Sequence, residues 1–181
     1  MTSRFPRFLI IGWLALLIGG AGSSAYGQAG TYLSTTEFLA EGFSGKGTPS
    51  AGAYTLSSTD QAAAKAILGH AYGTSRLRYW RSGDRSAWIL EEIGKTRPIT
   101  TGFVVDGGKI HLVRVLIYRE SHGGEVKNKF FTKQFDGAKL GSAPRYDLSR
   151  RINSISGATL SVNALRKLSR FALYLDGKVS G

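Results

Sequence analysis

The chain has 181 residues, the length of one domain with or without a targeting segment, and its 42% hydrophobic and 20% charged residues exclude a mostly disordered chain. It has no cysteine, which excludes a disulfide scaffold, a Cys-ligated zinc or iron–sulfur site, a catalytic thiol and a Cys-anchored lipoprotein, and its three histidines (His70, His111, His122) are too scattered to suggest a metal site. Twenty-four Lys+Arg against twelve Asp+Glu give a net charge of +12, which suits anionic partners.

Residues 1–27 read as a secretory signal. Arg4 and Arg7 supply the positive start, Phe8 to Gly20 is an uncharged apolar run, and small residues follow at Ala21 to Ala25. Cleavage would fall after Ala25 or after Gly27. There is no twin arginine, which points to the general secretory route. The competing reading is a retained membrane anchor, since Phe8 to Gly27 is long enough to span. Its second half is Gly, Ser and Ala, which favours the cleaved signal and a periplasmic or extracytoplasmic protein. Export also sets nucleic acid aside as a partner. Residues 28–181 are then one domain.

Along that domain, Thr35 to Ala40 suggests a short helix with a Ser/Thr cap and an acidic first turn. Gly42 to Tyr54 is rich in Gly, Ser and Pro and reads as loop. A helix follows from Ser57–Ser58 to Leu68, with Ser58 and Gln61 spaced as a capping box, and it stops near Gly69. The period then changes to two. Strands are expected at Leu77–Arg81, Ser86–Ile93, Ile99–Val105 and Lys109–Arg119. Asp106-Gly107-Gly108 is a strong hairpin turn. In the last strand the alternation slips between Leu112 and Val113, which predicts a bulge or burial on both faces. Val126 to Phe135 reads as a short amphipathic helix through the pairs Val126/Phe130 and Phe131/Phe135. Gly137 to Asp147 is a basic loop. Ala158 to Leu175 is the strongest helix, with Val162, Leu165, Leu168, Phe171, Ala172 and Leu175 on one stripe and Asn163, Arg166, Lys167 and Arg170 facing away. Helices flanking a run of adjacent strands predict an α+β fold with a mostly antiparallel twisted sheet.

Three constellations could carry chemistry. Asn153 to Ser161 (NSISGATLS) leads from a loop into the last helix, where unpaired N–H groups and the helix dipole favour a phosphate; the plainer reading is capping by Ser156. Tyr118 to Glu125 (YRESHGGE) is a charged, Gly-rich turn, or simply a solvated connection. Phe130 to Gly137 (FFTKQFDG) holds three aromatics that could wall a flat heterocycle, or could be plain core.

In order, three stretches resemble the FMN-binding domain family of sodium-pumping NADH–quinone reductase and Rnf complex subunits, and its small exported members. They are Gly102 to Ile110; Glu120 to Glu125 with Phe131, Gln134, Phe135 and Gly137; and Ile155 to Ser161. In that family the threonine of the last stretch carries FMN through a phosphoester, installed from FAD by a flavin transferase. Here that residue is Thr159, with Asn153, Ser156, Gly157 and Ala158 around it. Where the family motif often begins with Asp, this chain has Asn153, which can cap and hydrogen-bond but carries no charge. The expected ring environment is Glu120, His122, Gly123 and Gly124 beside the isoalloxazine, with Phe131, Gln134 and Phe135 packed against it. Ser161, the competing hydroxyl, lies about 200° around the helix from Thr159, toward the Leu165 stripe. Arg145, Arg150, Arg151, Arg166 and Lys167 add positive field.

The resemblance implies an exported electron carrier rather than a stand-alone enzyme. Its partners would be a magnesium-dependent transferase using FAD and a membrane redox protein such as a cytochrome or a ferric-reductase-like protein. Two alternatives remain open on the residues: a stand-alone extracytoplasmic flavin reductase drawing on Glu120 and His122, and a non-redox basic module that adheres to the envelope. The signal reading predicts the intact mass of protein isolated from its native envelope: it starts after Ala25 or Gly27. A mass retaining Met1 to Tyr26, in the membrane pellet, would establish the anchor instead.

Overall fold

The computed structural model describes residues 30–180; the signal reading therefore lies outside the described residues. The elements, in chain order, are β1 (Gly30–Thr31), α1 (Thr35–Gly42), β2 (Ser50–Thr55), α2 (Ser58–Leu68), β3 (Arg76–Ser82), β4 (Arg85–Ile93), β5 (Pro98–Asp106), β6 (Lys109–Tyr118), α3 (Lys129–Thr132) between two single 3₁₀ turns, and α4 (Thr159–Val179). Six strands form one antiparallel sheet in the order β1-β6-β5-β4-β3-β2. From β2 onward this is a simple meander, and the fold is α+β as the sequence predicts.

Both faces of the sheet are covered. Trp88, Leu90, Ile99, Phe103, Val105, Val113 and Val115 point to one face, where α2 and α4 pack. Ala87, Val104 and Leu116 point to the other, under Phe38 of α1. Burial on both faces explains why β5 and β6 read as near-continuous apolar runs. Gly102 makes room for this second layer: a Cβ there would sit 2.6 Å from the Phe38 ring. The expected bulge exists, displaced from its sequence position. Register shifts fall at Val104/Val105 and Thr100/Thr101, so His111 and Leu116 of β6 are the extra residues. Gly107 and Gly108, both at positive φ, make the β5–β6 turn.

Three local expectations are corrected. The Gly- and Pro-rich stretch Gly42–Tyr54 is not all loop: its second half is edge strand β2, which gains backbone bonds to β3 despite a composition poor in strand formers. The capping box of α2 is Ser57 with Asp60, one residue earlier than Ser58 with Gln61. The segment Val126–Phe135 is not one helix. It breaks into two 3₁₀ turns around α3, which turns Phe130 outward at 90% exposure and keeps Phe131 and Phe135 inside at 3% and 0%.

Asp60 joins the capping box to the helix layer. Its carboxylate accepts from the Ser57 amide (2.9 Å) and hydroxyl (2.7 Å), from Tyr54 Oη (2.9 Å) and from Tyr174 Oη (2.7 Å), with Lys178 Nζ at 3.4 Å. One buried anion thus ties β2, α2 and α4 together. Burial works to raise its pKa, but the four donated bonds outweigh that and hold it well below the usual carboxylate range. A depressed folded pKa gives stability that is present above the unfolded value and lost as pH falls through the folded one. Asp60→Ala is expected to destabilise the domain by about 3 kcal/mol in urea unfolding at pH 7, and the difference from the parent protein should shrink as the pH is lowered below about 4.

Candidate functional site

The site lies where the far end of β6 meets the first turn of α4. Tyr118, the last residue of β6, donates its hydroxyl proton to the His122 carbonyl and accepts from the Ser161 hydroxyl at 2.9 Å. Burial pushes the Tyr118 phenol pKa up, so it stays protonated and keeps its bond. Gly123, at φ 79, fits under this pair: a Cβ would lie 2.9 Å from Ser161 Oγ and 3.1 Å from Tyr118 Oη. Only glycine meets both the backbone conformation and the space. Gly124 opens the following 3₁₀ turn.

Ser161 is therefore buried, at 4% exposure, with its proton committed. Thr159, two residues earlier, is exposed, and its side-chain hydroxyl has no hydrogen-bond partner among the described residues. Ser156 is not the N-cap expected from the sequence. Ala158 occupies that position, no side chain caps α4, and Ser156 stands exposed. The Ser-Gly pair is used for a different purpose: Gly157 at φ 79 turns the chain so that the Ala158 amide bonds back to the Ile155 carbonyl at 3.0 Å. The amides of Thr159, Leu160 and Ser161 are left without an acceptor among the described residues. Such groups favour an anion.

Two clefts flank this segment. One, of about 410 Å³, is lined by Lys95, His122 and Gly157 to Ser161. The other, of about 490 Å³, runs between Glu125, Asn128, Phe130 and Gln134 on one side and Asn153 to Ile155 on the other. Gln134 links its walls, because its Oε1 accepts from the Asn153 amide at 2.8 Å. The structure thus brings together Asn153, Gly157, Ala158, Thr159, His122, Gly123, Gly124 and Gln134. Phe131 lines the second cleft from the core side and Phe135 supports it from within, their rings in T-shaped contact at 5.8 Å. The aromatic of that cluster that faces the second cleft from the solvent side is Phe130, which the pairing rule had turned inward.

Glu120 has a structural duty that the sequence did not show. Its carboxylate accepts from the amides of Lys95 (2.5 Å), Thr96 (2.6 Å) and Arg97 (2.9 Å) and from the Thr96 hydroxyl (3.1 Å). It organises the β4–β5 turn and so places Lys95 in the first cleft. Burial would raise its pKa, but these donors prevail and hold it below its ordinary value. Lys95 is the residue that the sequence reading missed. Its signal was available in Gly94-Lys95-Thr96-Arg97, a cation in a tight turn between two strands.

The family model described as the FMN-binding domain matches residues 94–174. This segment belongs to that family. The match begins at the Glu120-bound turn and ends in α4, so it spans every element of the site just described. Comparison with curated proteins and with solved structures gave no match. The family assigns FMN as the cofactor, and with it flavin binding and electron transfer in general. The residues fit such a group: exposed hydroxyl, free amides and a lysine suit a phosphate, and the second cleft offers an aromatic face.

Because Glu120 acts through the turn, its loss should first appear there. Glu120→Gln is expected to raise amide hydrogen exchange at Lys95, Thr96 and Arg97 by about tenfold or more, with the Ser161–Tyr118 contact unaffected. The parent protein should show the same loosening on acidification, since the bonds need the carboxylate charged and are lost as pH falls through its lowered pKa.

Proposed function

We propose that the protein is an exported electron carrier whose FMN is joined through its phosphate to the Thr159 hydroxyl. The observation that carries this reading is the pairing of an exposed threonine hydroxyl with three amides at the start of α4, all without partners among the described residues, inside a segment of the FMN-binding domain family. Attachment is a group transfer. The Thr159 oxygen bonds to the phosphorus of the FMN half of FAD, the diphosphate bond breaks, AMP leaves, and the hydroxyl proton passes to a base of a separate magnesium-dependent transferase. The chain's own contribution is access and charge. Gly157 and Ala158 leave the hydroxyl open, while Lys95 and the α4 amides offset the phosphodiester. With no cysteine, a ring-linked covalent flavin has few residues to use.

The carrier reading is preferred to a stand-alone reductase because Glu120, the carboxylate such an enzyme would draw on, already accepts four hydrogen bonds. A membrane cytochrome or a ferric-reductase-like protein would exchange electrons with the flavin in the periplasm or its equivalent.

Co-expression with a flavin transferase is expected to add one FMN, less water, to the protein mass, with in-gel flavin fluorescence surviving denaturation. Thr159→Ala should abolish the gain. Ser156→Ala should leave it unchanged, and Ser161→Ala should lower it at most, through loss of the Tyr118 bond. A flavin-bearing peptide mapping to any other residue would overturn the assignment.

A further inference from the structure

A third cleft, of about 380 Å³, lies between the segment Asp147–Ile152 and α4, and four arginines line it: Arg150, Arg151, Arg166 and Arg170. Three arginines elsewhere in the domain are paired with carboxylates. Arg85 is 2.6 Å from Asp106, Arg114 is 2.5 Å from Glu41 and Arg119 is 3.3 Å from Glu91. None of the four cleft arginines has such a carboxylate among the described residues. Their hydrogen bonds go to neutral oxygens instead: Arg150 to the Asp136 carbonyl, Arg166 to the Ile152 carbonyl, the Ser154 hydroxyl and the Asn163 side chain, Arg170 to the Ile67 carbonyl. Arg151 is exposed. Arg170 carries the clearest sign of a missing partner. Its Nε is buried and unbonded among the described residues, and such a donor in a native structure calls for an anion or a water. Burial also works against the Arg170 charge, and Asp147 offsets it.

We propose that this cleft binds a small diphosphate-bearing anion. Guanidinium forks match phosphate oxygens two at a time, and the volume is that of a small-molecule site. Four arginines less Asp147 leave about three positive charges, which a single carboxylate or monoester does not balance and a diphosphate does. The cleft is separate from the Thr159 pocket but mechanically joined to it. Arg166 stands seven residues after Thr159, about 10 Å along the helix and within about 20° of the same face. The guanidinium that would hold the anion also holds Ile152 and Ser154, which lead into the Ile155–Thr159 turn. The proposal does not depend on flavin attachment and can be tested on flavin-free protein.

The test is calorimetric titration of the purified flavin-free protein with inorganic pyrophosphate at about 0.15 M salt, where loose surface attraction is screened. Saturable one-site binding is expected, weaker for orthophosphate, and reduced about tenfold or more by Arg151→Gln and by Arg170→Met. Lys109→Gln, on the β5–β6 turn, removes a charge elsewhere and should leave the affinity unchanged. Arg151 is exposed, so its variant folds and decides the matter even if Arg170→Met does not. Absence of saturable binding, an equal loss in Lys109→Gln, or binding to phosphatidylglycerol vesicles without binding of pyrophosphate would each overturn the proposal.

Discussion

The hydroxyl of Tyr118 is the point on which the site depends. A phenol has one proton and a carbonyl can only accept, so the bond to His122 fixes the direction of the other: Ser161 must donate. One buried oxygen thus orders the end of β6, the Gly-rich loop after it and the first turn of α4. Tyr118 is itself paired with Ile99 of β5, the strand with most of its residues buried. The position of Thr159 is therefore inherited from the sheet, through a chain of three hydrogen-bonded or packed contacts. Gly123 belongs to the same constraint, because any side chain there would push Ser161 and Tyr118 apart.

The three long helices solve the problem of their N-termini differently, and the difference is energetic. Helices α1 and α2 have 8 and 11 residues, lengths that are marginal alone, and both begin with a complete capping box. A cap contributes about 1 kcal/mol, which matters on that scale. Helix α4 has 21 residues and buries Val162, Leu165, Leu168, Phe171, Ala172 and Leu175 against the sheet, each fully covered. At about 1.5–3 kcal/mol for each large apolar side chain, that stripe exceeds any capping term several-fold. The helix can leave its first amides open because its packing does not need them closed. Stability and binding are assigned to different parts of one element.

Much of this was legible in the sequence, and what was not has a common physical reason. Periodicity located β3 to β6 and α4 because those segments bury a continuous face, so the pattern is written in many residues. The family resemblance drew on the same region and is matched over 94–174. What failed were features set by one or two tertiary contacts. Ser57 rather than Ser58 caps α2 because Asp60 also has Tyr54 and Tyr174 to satisfy, and neither is visible locally. Ser156 looked like a cap, but Gly157 adopts a positive φ that carries the chain past it. Glu120 also has a structural duty that its charged, Gly-rich turn does not announce. Its partners are amides more than twenty residues earlier, brought alongside only by the β5–β6 pairing.

The engagement of Glu120 also decides the electrostatic character of the Thr159 cleft. Once that carboxylate is turned toward the β4–β5 turn, the cleft walls carry Lys95, His122, backbone amides and hydroxyls, and no acidic side chain. Donors converge there and acceptors are spent elsewhere. Positive and neutral donors therefore surround an accessible hydroxyl while Glu120 is engaged by the β4–β5 turn, an arrangement suited to holding an anion.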